Sequence, residues 1–327
     1  MTPLQFEAAH SAAWNELEAA LGALPKGRRA APADRARIAT LYRAACEHLA
    51  LAEARAYPVW LIERLEALTA RGHQRIYRES DFGIDKLRRL FLVDFPAAVR
   101  SHWRHVLIAF IAFAAPLVVT GVAAYADPGF VLSVHDARAV DEYEKMYSDV
   151  DGPLGRRSAG SDWEAFGFYV YNNVRIAFQC FAGGLLFGVG SLFFLVANGT
   201  MAGSIAGYVT WRGFGPNFYS FVVTHSAFEL TGIVLAGASG LILGGALLAP
   251  GRRSRLAALA DAARRAIVIV YGMTAMFLVA AVIEAFWSSA RWVPPDAKFA
   301  VGGLCWVAVL AYFALQGRSR AAAATPS

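Results

Sequence analysis

The sequence predicts an all-α membrane protein: a polytopic bundle of about six spans, one short or broken, with an N-terminal cytoplasmic helical domain and an interfacial helix. Hydrophobic residues make up 57% of the 327 residues and charged residues only 17%, against roughly 25% charged in an ordinary soluble domain. Residues 106–126 and 176–197 carry no charge, and about 20 such residues cross a hydrocarbon core. A wholly soluble globular fold is therefore excluded.

The first elements form the predicted N-terminal domain, residues 1–80. This region contains no apolar run long enough to span a membrane. Apolar residues three and four apart predict a helix over about 4–21, a second of about 22 residues that starts with Asp34 as N-cap, and a third that starts at Pro58 and ends at Gly72. Residues 81–104 follow, where basic residues beside Leu87 and Phe91 predict an amphipathic helix along the lipid headgroups.

The remaining elements form the predicted bundle, residues 105–317. After the two charge-free runs come 213–251, whose one charge is Glu229, then 266–287, whose one charge is Glu284, and the uncharged 299–316. A shorter apolar piece, 201–211, lies between the second and third runs, and Asn198 and Gly199 predict a cytoplasmic turn before it.

The flanking charges predict the orientation. Lys and Arg predominate near 100–104, in the 252–265 segment that includes Arg252, and in the tail 318–327, so these parts are expected in the cytoplasm. The loop 127–175 has a net charge of −4 and is expected outside. Because both termini lie inside, the number of crossings is even and 201–211 should cross; the alternative is a re-entrant 199–248 region with four full crossings.

Small residues recur at every fourth position in the apolar segments. In lipid, such faces let two helix backbones approach closely. We therefore interpret them as packing positions, within the bundle or in a homodimer, rather than as the lining of a pore; the main ones are Gly199, Gly203, Gly207, Gly232 and Gly240.

Polar residues inside the spans are the candidates for function, because a charge is costly there. His225 and Glu229 are four residues apart and share a helix face. Counting from the ends of the spans places Glu284 at a similar depth, in the outer half, with Asn172, Asn173 and Arg175 at the entrance of the second span.

Three interpretations of this cluster stay open from the residues alone. It could be a satisfied structural network in which Arg175 neutralises Glu229 or Glu284. It could exchange a proton or pass an ion. It could also hold a divalent metal through His225, Glu229 and Glu284. The HExxH metalloprotease pattern is absent from the sequence.

The sequence resembles the stage II sporulation protein M family over about residues 85–316. The resemblance is carried by NNVRIAFQCFAGGLLFGVGSLFFLVANGTMAG, by THSAFEL, by the Pro250-Gly251-Arg252 turn and by IEAFWS. The family usually has Pro-His-Gly where this chain has Thr224-His225-Ser226. The matching positions are Asn172, Asn173, Asn198, Gly199, His225, Glu229, Arg252 and Glu284.

The resemblance implies an integral protein of the bacterial cytoplasmic (inner) membrane and a place in a membrane or cell-envelope complex. Family relatives often neighbour genes of AAA ATPases, so such an ATPase system is one expected partner. We therefore expect a non-enzymatic, homodimeric scaffold that contacts lipids and an unidentified protein, and no nucleic acid. The alternative is a transporter-like or channel-like bundle that handles a proton, ion or small substrate through the His/Glu cluster. An intramembrane metalloenzyme is a third hypothesis.

Overall fold

The computed structural model describes residues 1–23, 32–78, 83–148, 159–290 and 292–318. Within these ranges the chain is helical and contains no strand, which confirms the predicted all-α class. It divides into two compact units, Met1–Leu87 and Arg88–Ser327. Residues 79–82, 149–158 of the predicted outer loop and 319–327 of the predicted tail lie outside the described residues.

The first unit packs three helices: α1 (Pro3–Ala23), α2 (Pro32–Ala54) and α3 (Val59–Arg78). Asp34 lies in the first turn of α2 rather than at its N-cap. Gly72 does not end α3, which continues to Arg78. The Tyr42 ring lies against this glycine, and a Cβ at position 72 would come within 2.7 Å of the ring. The glycine therefore serves packing between α2 and α3.

The second unit contains the long apolar helices. After α4 (Ile84–Arg89) and α5 (Phe95–Ser101), they are α6 (Trp103–Ala126), α8 (Ala159–Ala182), α9 (Val189–Trp211), α10 (Gly215–Leu248), α11 (Arg255–Val282) and α12 (Pro295–Leu315), with the short α7 (Ala137–Tyr147) after α6. In the part of the chain that the structure describes, five helical stretches are long and apolar enough to cross a membrane: 103–126, 189–211, 215–248, 255–288 and 295–315. The chain is thus a multi-pass membrane protein.

The sixth long helix of the bundle is α8, which is 24 residues long but carries Asp162, Glu164 and Arg175. Central to the bundle is α10, which contacts α6, α8, α9, α11 and α12. At 23 and 34 residues, α9 and α10 are each long enough to cross in full. Their lengths argue against the re-entrant alternative for 199–248.

The predicted helix over 176–197 is wrong, because the chain breaks in the middle of this run. α8 ends at Ala182, a 3₁₀ turn covers Gly183–Leu185, and Gly188 takes φ +85° before α9 begins. A Cβ at Gly184 would lie 2.1 Å from the Gly240 carbonyl oxygen, so the turn packs directly on the α10 backbone. An uncharged run does not reveal such a break.

The predicted turn at Asn198 and Gly199 is wrong for the same reason. Both residues lie inside α9, where the Asn198 side chain donates to the Phe194 carbonyl at 2.7 Å. The short piece 201–211 is therefore the second half of α9, and not a separate span.

The predicted glycine faces pack within one chain. Cβ atoms at Gly199, Gly203 and Gly207 would lie 2.2, 2.1 and 2.0 Å from backbone carbonyl oxygens of α6. Gly232 lies against the Phe277 ring, and Gly240 against the Cys180 and Phe181 carbonyls. The chain's own helices pack against these faces. The prediction that a homodimer forms through them is therefore wrong.

The predicted interfacial segment packs against the bundle in its second half. After α4, the helix widens into a π-helical segment, Leu90–Asp94, and continues into α5. Phe95 is 2% exposed and lies against Gly272 of α11. Arg100 donates to the Phe313 carbonyl at 2.8 Å, and the Tyr312 hydroxyl donates to the Phe91 carbonyl.

Candidate functional site

The structure brings His225, Glu229 and Glu284 together. One ligand atom from each, an imidazole nitrogen or a carboxylate oxygen, lies within 4.8 Å of the others. His225 is 4% exposed and Glu284 is 9% exposed, and the Glu229 side chain keeps 18%. The three residues come from two elements, α10 and the segment that follows α11.

Glu284 lies in a π-helical segment, Ile283–Ser288, that continues α11. A π-helical turn is wider than an α-helical turn, and such turns occur frequently at functional sites. The segment also carries Ser288, which is 1% exposed, so one widened stretch of helix supplies both a carboxylate and a hydroxyl to this region. The apolar pattern of 266–287 gave no sign of this change.

Two neighbouring side chains, Ser288 and Phe221, position the imidazole of His225. Its Nδ1 lies 3.0 Å from the Ser288 hydroxyl, and the Phe221 ring packs edge-on at 5.4 Å between centroids. Its Nε2 lies 3.7 Å from the Glu229 carboxylate, too far for a good hydrogen bond. One ring nitrogen is thus occupied and the other faces a carboxylate with space between them.

Lys298, in the first turns of α12, is a polar residue that sequence reasoning missed. It is 8% exposed, and its ammonium group donates to the Ser288 carbonyl at 2.7 Å. Its own carbonyl accepts from the Thr224 hydroxyl at 3.3 Å. The signal was its position directly before the apolar run 299–316.

The other predicted polar residues, Asn172, Asn173 and Arg175, differ in burial. Asn173 is 2% exposed and its Nδ2 has no hydrogen-bond partner among the described residues. Asn172 is half-buried, and Arg175 is exposed. Within the described ranges, Arg175 forms no ion pair with Glu229 or Glu284, so the interpretation in which it neutralises them is wrong.

One tyrosine of α7 and one of α8 lie within electrostatic range of the cluster. Tyr147 is 4% exposed, and its carbonyl accepts from the Asn217 amide at 2.9 Å. Burial raises the pKa of Tyr147, and the neighbouring Tyr143 and Glu284 add to the shift. Tyr169 of α8 also lies within electrostatic range of both carboxylates.

Arg252 remains apart from this site. It is exposed in the connection between α10 and α11, where Gly251 takes φ +64°. This matches the predicted turn, which also ends α10 before Ser254 caps α11 through its hydroxyl.

The arrangement can do two kinds of chemistry. A neutral imidazole and two carboxylates are ligands for a divalent transition metal. Two carboxylates so close together can also share a proton, because neighbouring like charges oppose double ionisation. Both possibilities follow from burial and proximity, and both use the same three side chains.

Two protein families match parts of the chain. Residues 105–289 match Stage II sporulation protein M. Residues 4–78 match a second family, described as Domain of unknown function (DUF8413). No curated protein and no solved structure matches. Because the first match covers more than half of the chain and includes α6 to the His/Glu cluster, the chain belongs to the stage II sporulation protein M family.

Proposed function

We propose that this family member is a non-enzymatic membrane protein whose N-terminal helical domain docks a protein partner. One observation carries the proposal: residues 1–87 form a compact unit with a core of their own, which includes Trp14, Leu17, Leu61 and Leu65. The bundle then acts as the membrane anchor. By family analogy the partner is a component of a membrane or cell-envelope complex, and an AAA ATPase system is one such partner.

A groove of about 380 Å³ between α2 and α3 is the surface that we assign to docking. Apolar and small side chains form most of it, including Leu49, Ala50 and Ala70, and Glu53 and Glu66 contribute acidic groups. The mixture fits a helix or loop that carries apolar residues and at least one basic residue.

Ala70→Arg should abolish partner capture by the full-length chain, because a long charged side chain would fill the groove. Ala67→Arg is the matched control: both alanines are exposed on α3, but position 67 does not line the groove. Co-purification from native membranes, followed by mass spectrometry, measures the captured proteins. The same set of proteins with both variants would contradict the docking assignment.

The same purification tests the homodimer. We propose that the chain is a homodimer; because its glycine faces are filled internally, the contact between copies would use other, outward faces of the bundle. Light scattering of the detergent-solubilised chain should give the mass of two copies. A monomeric mass would remove the homodimer.

A second candidate function is passage of a proton or ion, favoured by one observation: in the described part of the chain, neither Glu229 nor Glu284 forms an ion pair with Lys or Arg, although both lie inside the bundle. Glu229→Gln should then lower flux in reconstituted liposomes at least tenfold, because the amide cannot exchange a proton. Glu142→Gln, whose side chain is 63% exposed on α7, is the control. Flux that is absent from wild type would remove this candidate.

We further propose that the protein resides in the bacterial cytoplasmic membrane with both termini inside, because Lys and Arg flank the corresponding ends of the spans. A cysteine at position 138, whose arginine side chain is 89% exposed on α7, should react with an impermeant thiol reagent in intact cells. A cysteine at position 252 should react only after lysis. The reverse pattern would invert the topology.

A further inference from the structure

We propose that His225, Glu229 and Glu284 bind one divalent transition-metal ion, which fastens α10 to the π-helical segment Ile283–Ser288. Ligand atoms that each lie about 2.0–2.2 Å from a tetrahedral zinc ion are about 3.3–3.6 Å apart. The three ligand atoms here lie within 4.8 Å of one another. The most widely separated pair would therefore have to close by no more than about 1.5 Å, which rotation of the two glutamate side chains can supply.

The hydrogen bond of His225 supplies an independent argument. A histidine that ligates a metal almost always donates its other ring N–H to a neighbouring acceptor, which fixes the tautomer and the ring orientation. The Nδ1 of His225 lies 3.0 Å from the Ser288 hydroxyl. With the proton on Nδ1, Nε2 presents its lone pair towards Glu229, whose carboxylate is 3.7 Å away.

The two buried carboxylates favour a bound cation at this site. Two carboxylates lie together inside the bundle, and burying a charge is costly unless it is paired or coordinates a metal. The buried cation Lys298 donates to the Ser288 carbonyl and, among the described residues, forms no ion pair with either carboxylate. A divalent ion would balance both carboxylate charges at once, without any further side chain.

The ligand set also indicates which metal. Mg²⁺ and Ca²⁺ prefer oxygen ligands alone, whereas imidazole suits zinc and neighbouring transition metals. Three protein ligands on zinc leave a fourth position for water. On α8, the buried Asn173 has an unpartnered Nδ2 and lies one turn from Tyr169, which is near both carboxylates. A metal-bound water would give such a donor an acceptor.

This inference does not rest on partner docking or on ion flux. Full-length protein in detergent, stripped with a chelator, is titrated with zinc chloride; bound zinc is counted by mass spectrometry, and the melting temperature is followed. Wild type should bind one zinc per chain and melt at a higher temperature with zinc. A Glu229→Gln, Glu284→Gln double variant should bind none, whereas His135→Gln, outside the long helices, should bind as wild type does.

Ser288→Ala keeps the test informative if the double variant does not fold. It retains all three ligands and removes only the partner of Nδ1, so zinc should bind about 10–100-fold more weakly and still reach one per chain. Unchanged affinity in Ser288→Ala would overturn the proposal, as would a wild type that takes up no zinc at micromolar concentration. A wild type without zinc would leave proton sharing as the state of the two carboxylates.

Discussion

Gly207→Ala should destabilise the membrane bundle, although alanine is ordinarily the better helix former. A Cβ at position 207 would lie 2.0 Å from the Gly121 carbonyl oxygen and 3.0 Å from the Gly121 Cα. Both atoms belong to the backbone of α6, so no side-chain rotation can relieve the overlap. The two helices would have to move apart. We expect the free energy of unfolding to fall by about 1–3 kcal/mol, the usual range for overpacking.

Gly303→Ala is the matched control, because it is also a glycine inside a long apolar helix but no atom would lie within 4 Å of its new Cβ. In a helix interior, alanine is about 1 kcal/mol more favourable than glycine. We therefore expect the two substitutions to change the melting temperature of the detergent-solubilised protein in opposite directions. Equal melting temperatures would contradict the α6–α9 packing.

The sequence predicted the helical membrane class because the cost of placing charges in lipid leaves long uncharged runs. It could not predict where one run divides. Residues 176–197 contain no charge, yet the chain turns at Gly183–Gly188, because glycines there contact Gly240 and Gly244 of α10. Such a contact depends on a residue 56 positions away and has no local hydropathy signal.

The candidate cluster was also predictable only in part. The spacing of His225 and Glu229 and the depth of Glu284 were sufficient to predict that these side chains meet. The π-helical segment and the Ser288 contact were not predictable, because a single extra residue in a turn leaves the apolar pattern almost unchanged. Lys298 was missed because it lies at the boundary of a span, where a basic residue is usually taken to mark the lipid surface.

Trp14→Ala should unfold the N-terminal unit within the full-length chain. The Trp14 side chain is 1% exposed, and its ring lies 6.0 Å from that of Phe6 between centroids. Its indole N–H donates to Nδ1 of His48 at 3.0 Å, which requires that nitrogen to be unprotonated; burial lowers the pKa of His48 and favours this state. Removing a buried tryptophan costs about 3–5 kcal/mol, which is a large part of the stability of so small a unit.

Trp60→Ala is the matched control, since Trp60 belongs to the same unit but is 47% exposed, and its loss should change the stability by no more than about 0.5 kcal/mol. Limited proteolysis of the full-length protein in detergent measures both, with the apolar helices of 88–318 as an internal reference. Trp14→Ala should make residues 1–87 rapidly cleavable while the bundle stays intact, because the two units have separate cores. Parallel loss of the bundle would mean that the units fold as one, and the docking proposal would then lose the independent domain on which it depends.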